Sequence, residues 1–296
     1  MALSVLVTGG YGFVGQSLRR ELNSHGVRVI LLTRKSSSQT SLHPNESHLY
    51  GDLESLDFAD SSLRSVDTIF HLAWSNTHAY LSQHHLGNEL ELQKRFLRKW
   101  AESEIPHMNA FGSCYEYGKQ NGQLRETDIC QPNTPYGESK LRLLEFLDET
   151  SMSEGKDYSW FRCFYLFGSG QPAGTLWNEI CSWSLGGSPI VLNDPHRMLD
   201  FVPIHEAAWI TSTIGLARMS TSILNIGLGR PRTVQAQAHY IASTLGIPAT
   251  FEVPDQMTGR SRTYESSGSW ADPTRLFQYL NISKNVIQHH RGGREI

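Results

Sequence analysis

A short apolar strand that runs into glycines and then into a helix constrains this chain more than any other feature. "LSVLVT" (3–8) reads as a buried strand. "TGGYGFVG" follows, with Gly9, Gly12 and Gly15 at intervals of three, and "FVGQSLRRELNSHG" (13–26) has helical periodicity ended by Gly26. Glycine there permits a tight turn, lets a phosphate approach the backbone, and lets helix and strand pack closely. The helix start offers free N–H groups and a positive dipole end to a pyrophosphate. At the first strand–helix junction of a chain, this arrangement predicts a dinucleotide site lined by Tyr11, Phe13 and Val14 between the glycines.

The rest of the first half repeats the alternation. "VRVILLT" (27–33), "VDTIFHLAW" (66–74), "PHMNAFG" (106–112) and "YSWFRCFYLFG" (158–168) read as strands. Residues 84–103 and 134–150 have helical spacing, the second behind Pro135. Such alternation predicts a Rossmann-type, doubly wound parallel sheet covered on both faces. After Gly168 the pattern becomes irregular, so residues 1–167 are expected to form the dinucleotide domain. Residues 168–296 are expected to form a smaller substrate domain, with part of 198–228 returning to the sheet.

Charge excludes some functions. With 26 Lys+Arg against 29 Asp+Glu there is no basic field for nucleic acid and no polybasic membrane patch. No apolar run approaches the roughly 20 residues of a membrane span. "MALSVLVTGG" lacks the charged start of a signal peptide, and Cys114, Cys130, Cys163 and Cys181 are widely spaced. Free thiols in a reducing cytosol are therefore expected, with no zinc site. His78, His84 and His85 read as a polar loop rather than a metal set, because no carboxylate or cysteine nearby completes one.

The end of the second strand bears on cofactor choice. A carboxylate there would accept bonds from a ribose diol, but the chain reads Thr33-Arg34-Lys35. Two cations suit a 2′-phosphate, so NADP is expected rather than NAD. Asp52, in "YGDL", is placed to accept a bond from the adenine amine.

Two Tyr-x-x-x-Lys pairs compete for the chemistry. Residues four apart share a face only on a helix. Tyr115–Lys119 is interrupted by Gly118 and reads as loop, whereas Tyr136–Lys140 opens the helix behind Pro135. A nearby ammonium stabilises phenolate and is expected to lower the Tyr136 pKa, which suits a proton donor near neutrality. Ser113, at the end of the fifth strand, is the candidate second donor to a carbonyl oxygen.

These motifs together resemble the extended short-chain dehydrogenase/reductases, in their nucleotide-sugar epimerase/dehydratase/4-ketoreductase group. The matches are TGGYGFVG, "GDL", "HLA" (71–73), the serine four residues before "YG" (117–118), YGESK, "LDFVPIHEAA" (199–208) and "ADPTRLFQYLNIS" (271–283). The resemblance implies a catalytic Ser113, Tyr136 and Lys140. It also implies cofactor contacts from Leu53, Leu72, Ala73 and Asn88, and a homodimer through helices 84–103 and 135–150, with Trp100 and Phe146 as spare apolar residues. The departures are informative. The Asp-Glu pair of the 4,6-dehydratases is here Cys114-Tyr115, so water elimination lacks its usual catalysts. The arginine before "DF" is Leu199, with Arg197 two residues earlier, and an expected asparagine is Tyr165. Tyr165, Arg197 and Arg262 are the candidate substrate contacts beside Ser113; Arg260 and Arg262 read equally as a diphosphate contact and as surface loop. Cys114 reads as a packed thiol rather than an acid/base.

The reading is an NADPH-dependent reductase of a nucleotide-activated 4-keto-6-deoxy sugar, with Tyr136 as proton donor. The alternatives are a C4 epimerase that retains NAD(P) and a non-catalytic NADP sensor on the same fold. Tyr136→Phe is expected to lower turnover by roughly 10²–10⁴-fold while dinucleotide binding survives. Tyr115→Phe should change turnover little; the reverse outcome in steady-state assays would exchange the two tyrosines.

Overall fold

The computed structural model describes residues 3–34, 42–183, 187–219, 222–253 and 266–290, with the side chains of 222 and 286–290 not described. Seven parallel strands form the central sheet: β1 (Ser4–Thr8), β2 (Arg28–Thr33), β3 (Glu46–Tyr50), β4 (Thr68–His71), β5 (His107–Ser113), β6 (Asp157–Cys163) and β7 (Ser222–Ile226). Their spatial order is β7-β6-β5-β4-β1-β2-β3. The winding reverses between β1 and β4, and in such sheets the crevice at that point, beyond the strand C-termini, is where ligands bind.

Alternation along each strand divides the core. Val5 and Val7 face α1 (Phe13–Ser24), α5 (Ile204–Leu216) and α7 (Thr274–His290), with Leu18, Leu22, Ile210, Ile214, Leu276 and Leu280. Leu6 faces the opposite way, toward α2 (Asn88–Ala101) and α3 (Pro135–Glu154), with Leu90, Phe96, Leu97, Leu143 and Leu147. Local chemistry sets the helix ends. Thr134 caps α3 by accepting from the Gly137 N–H at 3.0 Å, Pro135 starts the helix, and Gly155 at φ +63° ends it.

Trp100 is fully buried beneath α2, and Phe146 is half-buried under the Lys94 and Arg98 cations. The larger apolar anchor expected for a dimer face is therefore core, because it lies on the inward stripe of its helix.

The cut near residue 167 does not yield two contiguous blocks. The run 158–168 splits at Phe164: Asp157–Cys163 pairs with β5, whereas Tyr165–Phe167 pairs with Phe201–Pro203. Gly122–Leu124, from the first half, pairs with Gly268–Ala271 in the small lobe. From the second half, α5, β7 and α7 pack on the main sheet. The small lobe is completed by α4 (Leu176–Cys181) and α6 (Val234–Leu245).

A buried ion pair joins β6 to the turn after β5. Arg162 Nε donates to Glu116 Oε2 at 2.6 Å, and Trp160 Nε1 donates to the same carboxylate at 3.1 and 3.2 Å. Glu116 Oε1 also accepts the Ser113 N–H at 2.8 Å. A Cβ on Gly112 would stand 2.2 Å from Trp160 Nε1 and 2.4 Å from Glu116 Oε1, so only glycine leaves room for this assembly. Breaking a buried pair strands a charge, so Arg162→Met should cost about 3–5 kcal/mol in urea unfolding. Adding Glu116→Leu to that variant should recover part of the loss; full additivity of the two changes would deny the coupling.

Candidate active site

The glycine turn packs tightly against the end of β4 and on itself. Gly9 has φ +70°, and a Cβ there would meet Ala73 N at 2.7 Å and Leu72 C at 2.8 Å. A Cβ on Gly15 would stand 2.3 Å from Gly9 O. Gly12 caps α1 with no side chain over its N–H groups, and the first turn of α1 carries no acidic residue. That uncapped, positive end is a ready anion site. Val14 is half-buried there, and Phe13 lies across from Gly170 of the small lobe. The Tyr11 hydroxyl bonds His48 Nε2 of β3.

A directional chain of hydrogen bonds fixes the opposite wall, Leu72–Trp74. Thr8 Oγ1 accepts the Ala73 N–H at 3.2 Å and bonds His71 Nδ1 at 2.8 Å. His71 Nε2 bonds Gln93 Oε1 at 2.5 Å, and Gln93 Nε2 donates to Ala73 O at 2.9 Å and Glu89 Oε1 at 2.7 Å. Burial pushes His71 down to about 4, so it is neutral near pH 7. Burial works against the Glu89 charge, but bonds from Ser75 and Gln93 outweigh it and hold that carboxyl below its usual range.

Ser113, Tyr136 and Lys140 are all buried, and Tyr136 and Lys140 both meet Trp74 at the end of this wall. The Ser113 Oγ accepts the Tyr115 N–H at 3.3 Å. A Cβ on Gly137 would stand 2.4 Å from Tyr115 O, so glycine lets the start of α3 press against the 114–117 turn. Tyr136 stands edge-on to Trp74, Tyr80, His85 and Tyr115, with ring centroids 5.2–6.2 Å away. Lys140 Nζ donates to Phe111 O at 2.8 Å and lies 3.7 Å from the Trp74 ring centre. Desolvation lowers its pKa to about 8. Burial raises the Tyr136 pKa, and Tyr80 adds to the rise, so the expected lowering of this phenol is corrected. Tyr136 is buried, and desolvation of phenolate dominates.

Residues 5–227 match the model of the NAD dependent epimerase/dehydratase family. The chain belongs to that family. Across 278 residues it is 25% identical to a dTDP-6-deoxy-L-talose 4-dehydrogenase (NAD(+)) of Aggregatibacter actinomycetemcomitans, covering 90% of this chain and 99% of that one. Among solved structures, MoeE5 in complex with UDP-glucuronic acid and NAD is 21% identical with a TM-score of 0.78, covering 98% of this chain and 100% of that one. UDP-glucose-4-epimerase from Stenotrophomonas maltophila, with bound NAD and formylated UDP-arabinopyranose, is 18% identical with a TM-score of 0.80, covering 94% and 92%. This family member is an NAD(P)-dependent oxidoreductase of the extended short-chain dehydrogenase/reductase type.

Other expected contacts are distributed unevenly in this epimerase/dehydratase fold. Thr33 is buried and Arg34 exposed at the end of β2. Asp52 Oδ1 accepts from Ser55 N and Ser55 Oγ, both at 2.7 Å. Those bonds hold the carboxyl below its usual range, with Arg34 contributing last; Leu53 beside it is buried. Arg197 Nη2 donates to the Tyr165 hydroxyl at 2.8 Å, so two positions that depart from the group's pattern meet. Asn88 is exposed on the first turn of α2, and the inward positions there belong to Glu89 and Gln93. His84 pairs with Glu89 at 3.4 Å, His85 bonds Trp74, and His78 is exposed. Among the described residues no group of His, Cys, Asp or Glu could hold a metal. Lys35, Arg260 and Arg262 lie outside the described residues.

Sequence reasoning misses Trp74, Tyr80, His85, Gln93 and the Glu116–Arg162 pair. Trp74 carries a local signal, directly after "HLA"; the others depend on distant partners.

The buried histidines make stability acid-sensitive. His71 and His107 are both pushed down to about 4 by burial, while the unfolded chain protonates near 6.5. The unfolded state then binds more protons between those values, so stability is full above pH 6.5 and falls as pH drops toward 4. The loss should be of order 3 kcal/mol per histidine. Urea midpoints across pH 4–7 should show it, with His71→Gln giving a shallower fall; an unchanged slope would contradict the assignment.

Proposed function

We propose that this chain reduces a nucleotide-activated 4-keto-6-deoxy sugar at C4. The observation that carries the reading is the phenol of Tyr136, buried among aromatic rings with the Lys140 ammonium 5.9 Å from its ring centre. The nicotinamide, when bound, supplies the hydride. Tyr136 gives its proton to the developing alkoxide oxygen, so the carbonyl gains one hydride and one proton. Ser113 donates to the same oxygen and orients it, and the Lys140 ammonium steadies the negative charge left on Tyr136. The buried Cys114 and stacked Tyr115 offer no acid/base pair for eliminating water.

The dTDP-6-deoxy-L-talose 4-dehydrogenase relative supports both the C4 position and the 6-deoxy sugar. Arg197, braced on Tyr165, is the cation we assign to the diphosphate; Arg262 is assigned the same contact from sequence. At the ribose end the exposed Arg34, with Lys35, supports NADP. The cofactor named for that dehydrogenase and for MoeE5 is NAD, which supports the second choice. A C4 epimerase retaining its cofactor is the second reading, favoured by likeness to UDP-glucose-4-epimerase. A homodimer through α2 and α3, with Leu92, Leu141 and Phe146 as apolar contacts, and a cytosolic location that suits four free cysteines belong to the same proposal. No helix among the described residues is long and apolar enough to cross a membrane.

Purified protein should oxidise NADPH with dTDP- or UDP-4-keto-6-deoxy sugars and yield the 4-hydroxy product. Interconversion of C4 epimers without net NADPH consumption would favour the second reading. NADPH should bind more tightly than NADH, and Arg34→Asp should cost NADPH about tenfold, since bonds to charged groups contribute roughly 1.5–3 kcal/mol. Equal affinities in the unaltered protein would end the charge argument.

A further inference from the structure

Lys140 is 6% exposed, and among the described residues no carboxylate forms an ion pair with its ammonium. The groups that face it are already committed or neutral. Glu116, below it, is bound by Arg162, Trp160 and Ser113. Glu89, on α2, is bound by Gln93 and Ser75. Burial pushes the Cys163 thiol, at the end of β6, up to about 12, leaving it uncharged. His71 on β4 is neutral, and burial lowers His85 in the 75–87 segment. Tyr136, on the same helix, has its ring centre 5.9 Å from Nζ and keeps its proton. Besides the Phe111 carbonyl, the near contact left to the cation is the face of Trp74, at 3.7 Å.

That indole is itself fixed. Trp74 Nε1 donates to His85 Nδ1 at 3.2 Å, and His85 Nε2 bonds Ala79 O at 3.1 Å, which sets the neutral tautomer with its proton on Nε2. Its backbone continues from Ala73, which Thr8 and Gln93 hold on both its N–H and its carbonyl.

We infer that Trp74 is a positioning residue for Lys140: its ring face keeps the ammonium charged and aimed, and His85 sets the plane of that ring. The inference rests on reading Lys140 as the cation that meets the cofactor. A cation over a ring is attracted by its quadrupole, and the attraction grows when water is excluded. Removing the face disfavours the charged form, so the Lys140 pKa drops further. Cofactor binding that needs the ammonium is lost as pH rises through that pKa, and its alkaline limb moves to lower pH.

The test is the affinity for NADPH, read from the cofactor's own fluorescence across pH 6–10, in the unaltered protein, Lys140→Met, Trp74→Leu, Trp74→Phe and His85→Phe. Lys140→Met should abolish the alkaline limb, which assigns that limb to Lys140. Trp74→Leu should move it down by about 0.5–1.5 pH units, and Trp74→Phe should restore most of the shift. His85→Phe, which leaves the indole unanchored, should move it less than Trp74→Leu. Trp74→Met, a flexible filler without a ring, carries the same expectation as Trp74→Leu and covers the case in which that variant does not fold. An unmoved limb in a folded Trp74→Leu or Trp74→Met protein overturns the inference alone. An unaltered protein that binds neither NADPH nor NADH at any pH overturns the cofactor reading, and this inference with it.

Discussion

The geometry of the site depends on one carboxylate. Glu116 accepts from the Ser113 backbone, the Trp160 indole and the Arg162 guanidinium, and so ties the end of β5 to β6 across the short turn between Ser113 and Tyr117. Isolated in a protein interior, that charge would be prohibitive; with three donors it becomes a rigid joint. Gly112 makes room for the joint, and Gly137 lets the helix bearing Tyr136 and Lys140 lie against it. Apolar side chains of similar volume in place of the pair would fill the space, yet would give Ser113 nothing to hold its backbone.

Burial then decides the direction of the protonation equilibria. Water would solvate phenolate and ammonium alike, but rings surround Tyr136 and Lys140 instead. Desolvation pushes the two pKa values apart, the phenol's upward and the ammonium's down to about 8. Both groups are displaced toward their neutral forms, so in the proposed reduction Tyr136 holds its proton until a carbonyl arrives.

What is legible in the sequence is what neighbours in the chain impose. The glycine turn, the Pro135 start of α3 and the Gly155 stop are local rules, and the winding of the sheet follows from alternation. The direction of the Tyr136 shift is not legible, because it depends on how many rings arrive from the 74–85 segment. Nor is the partner of Glu116, which is 46 residues away. Asn88 shows how fine the margin is: one position along a helix turns a side chain by about 100°, and the inward place goes to Glu89. Beyond Arg162 the run continues as Cys-Phe-Tyr-Leu-Phe without a break in character, so nothing in its composition marks Phe164 as the point where pairing passes from one sheet to another.

The repeated passage of the chain between its lobes has an evolutionary corollary. Gly122–Leu124 is lent to the small lobe, while β7 and α7 are returned to the large one. A single crossover in a gene would deliver a Rossmann half without its edge strand and a substrate half without one strand of its sheet. No one contiguous segment therefore carries the small lobe: its strands come from both halves of the chain, and any transplant has to bring both.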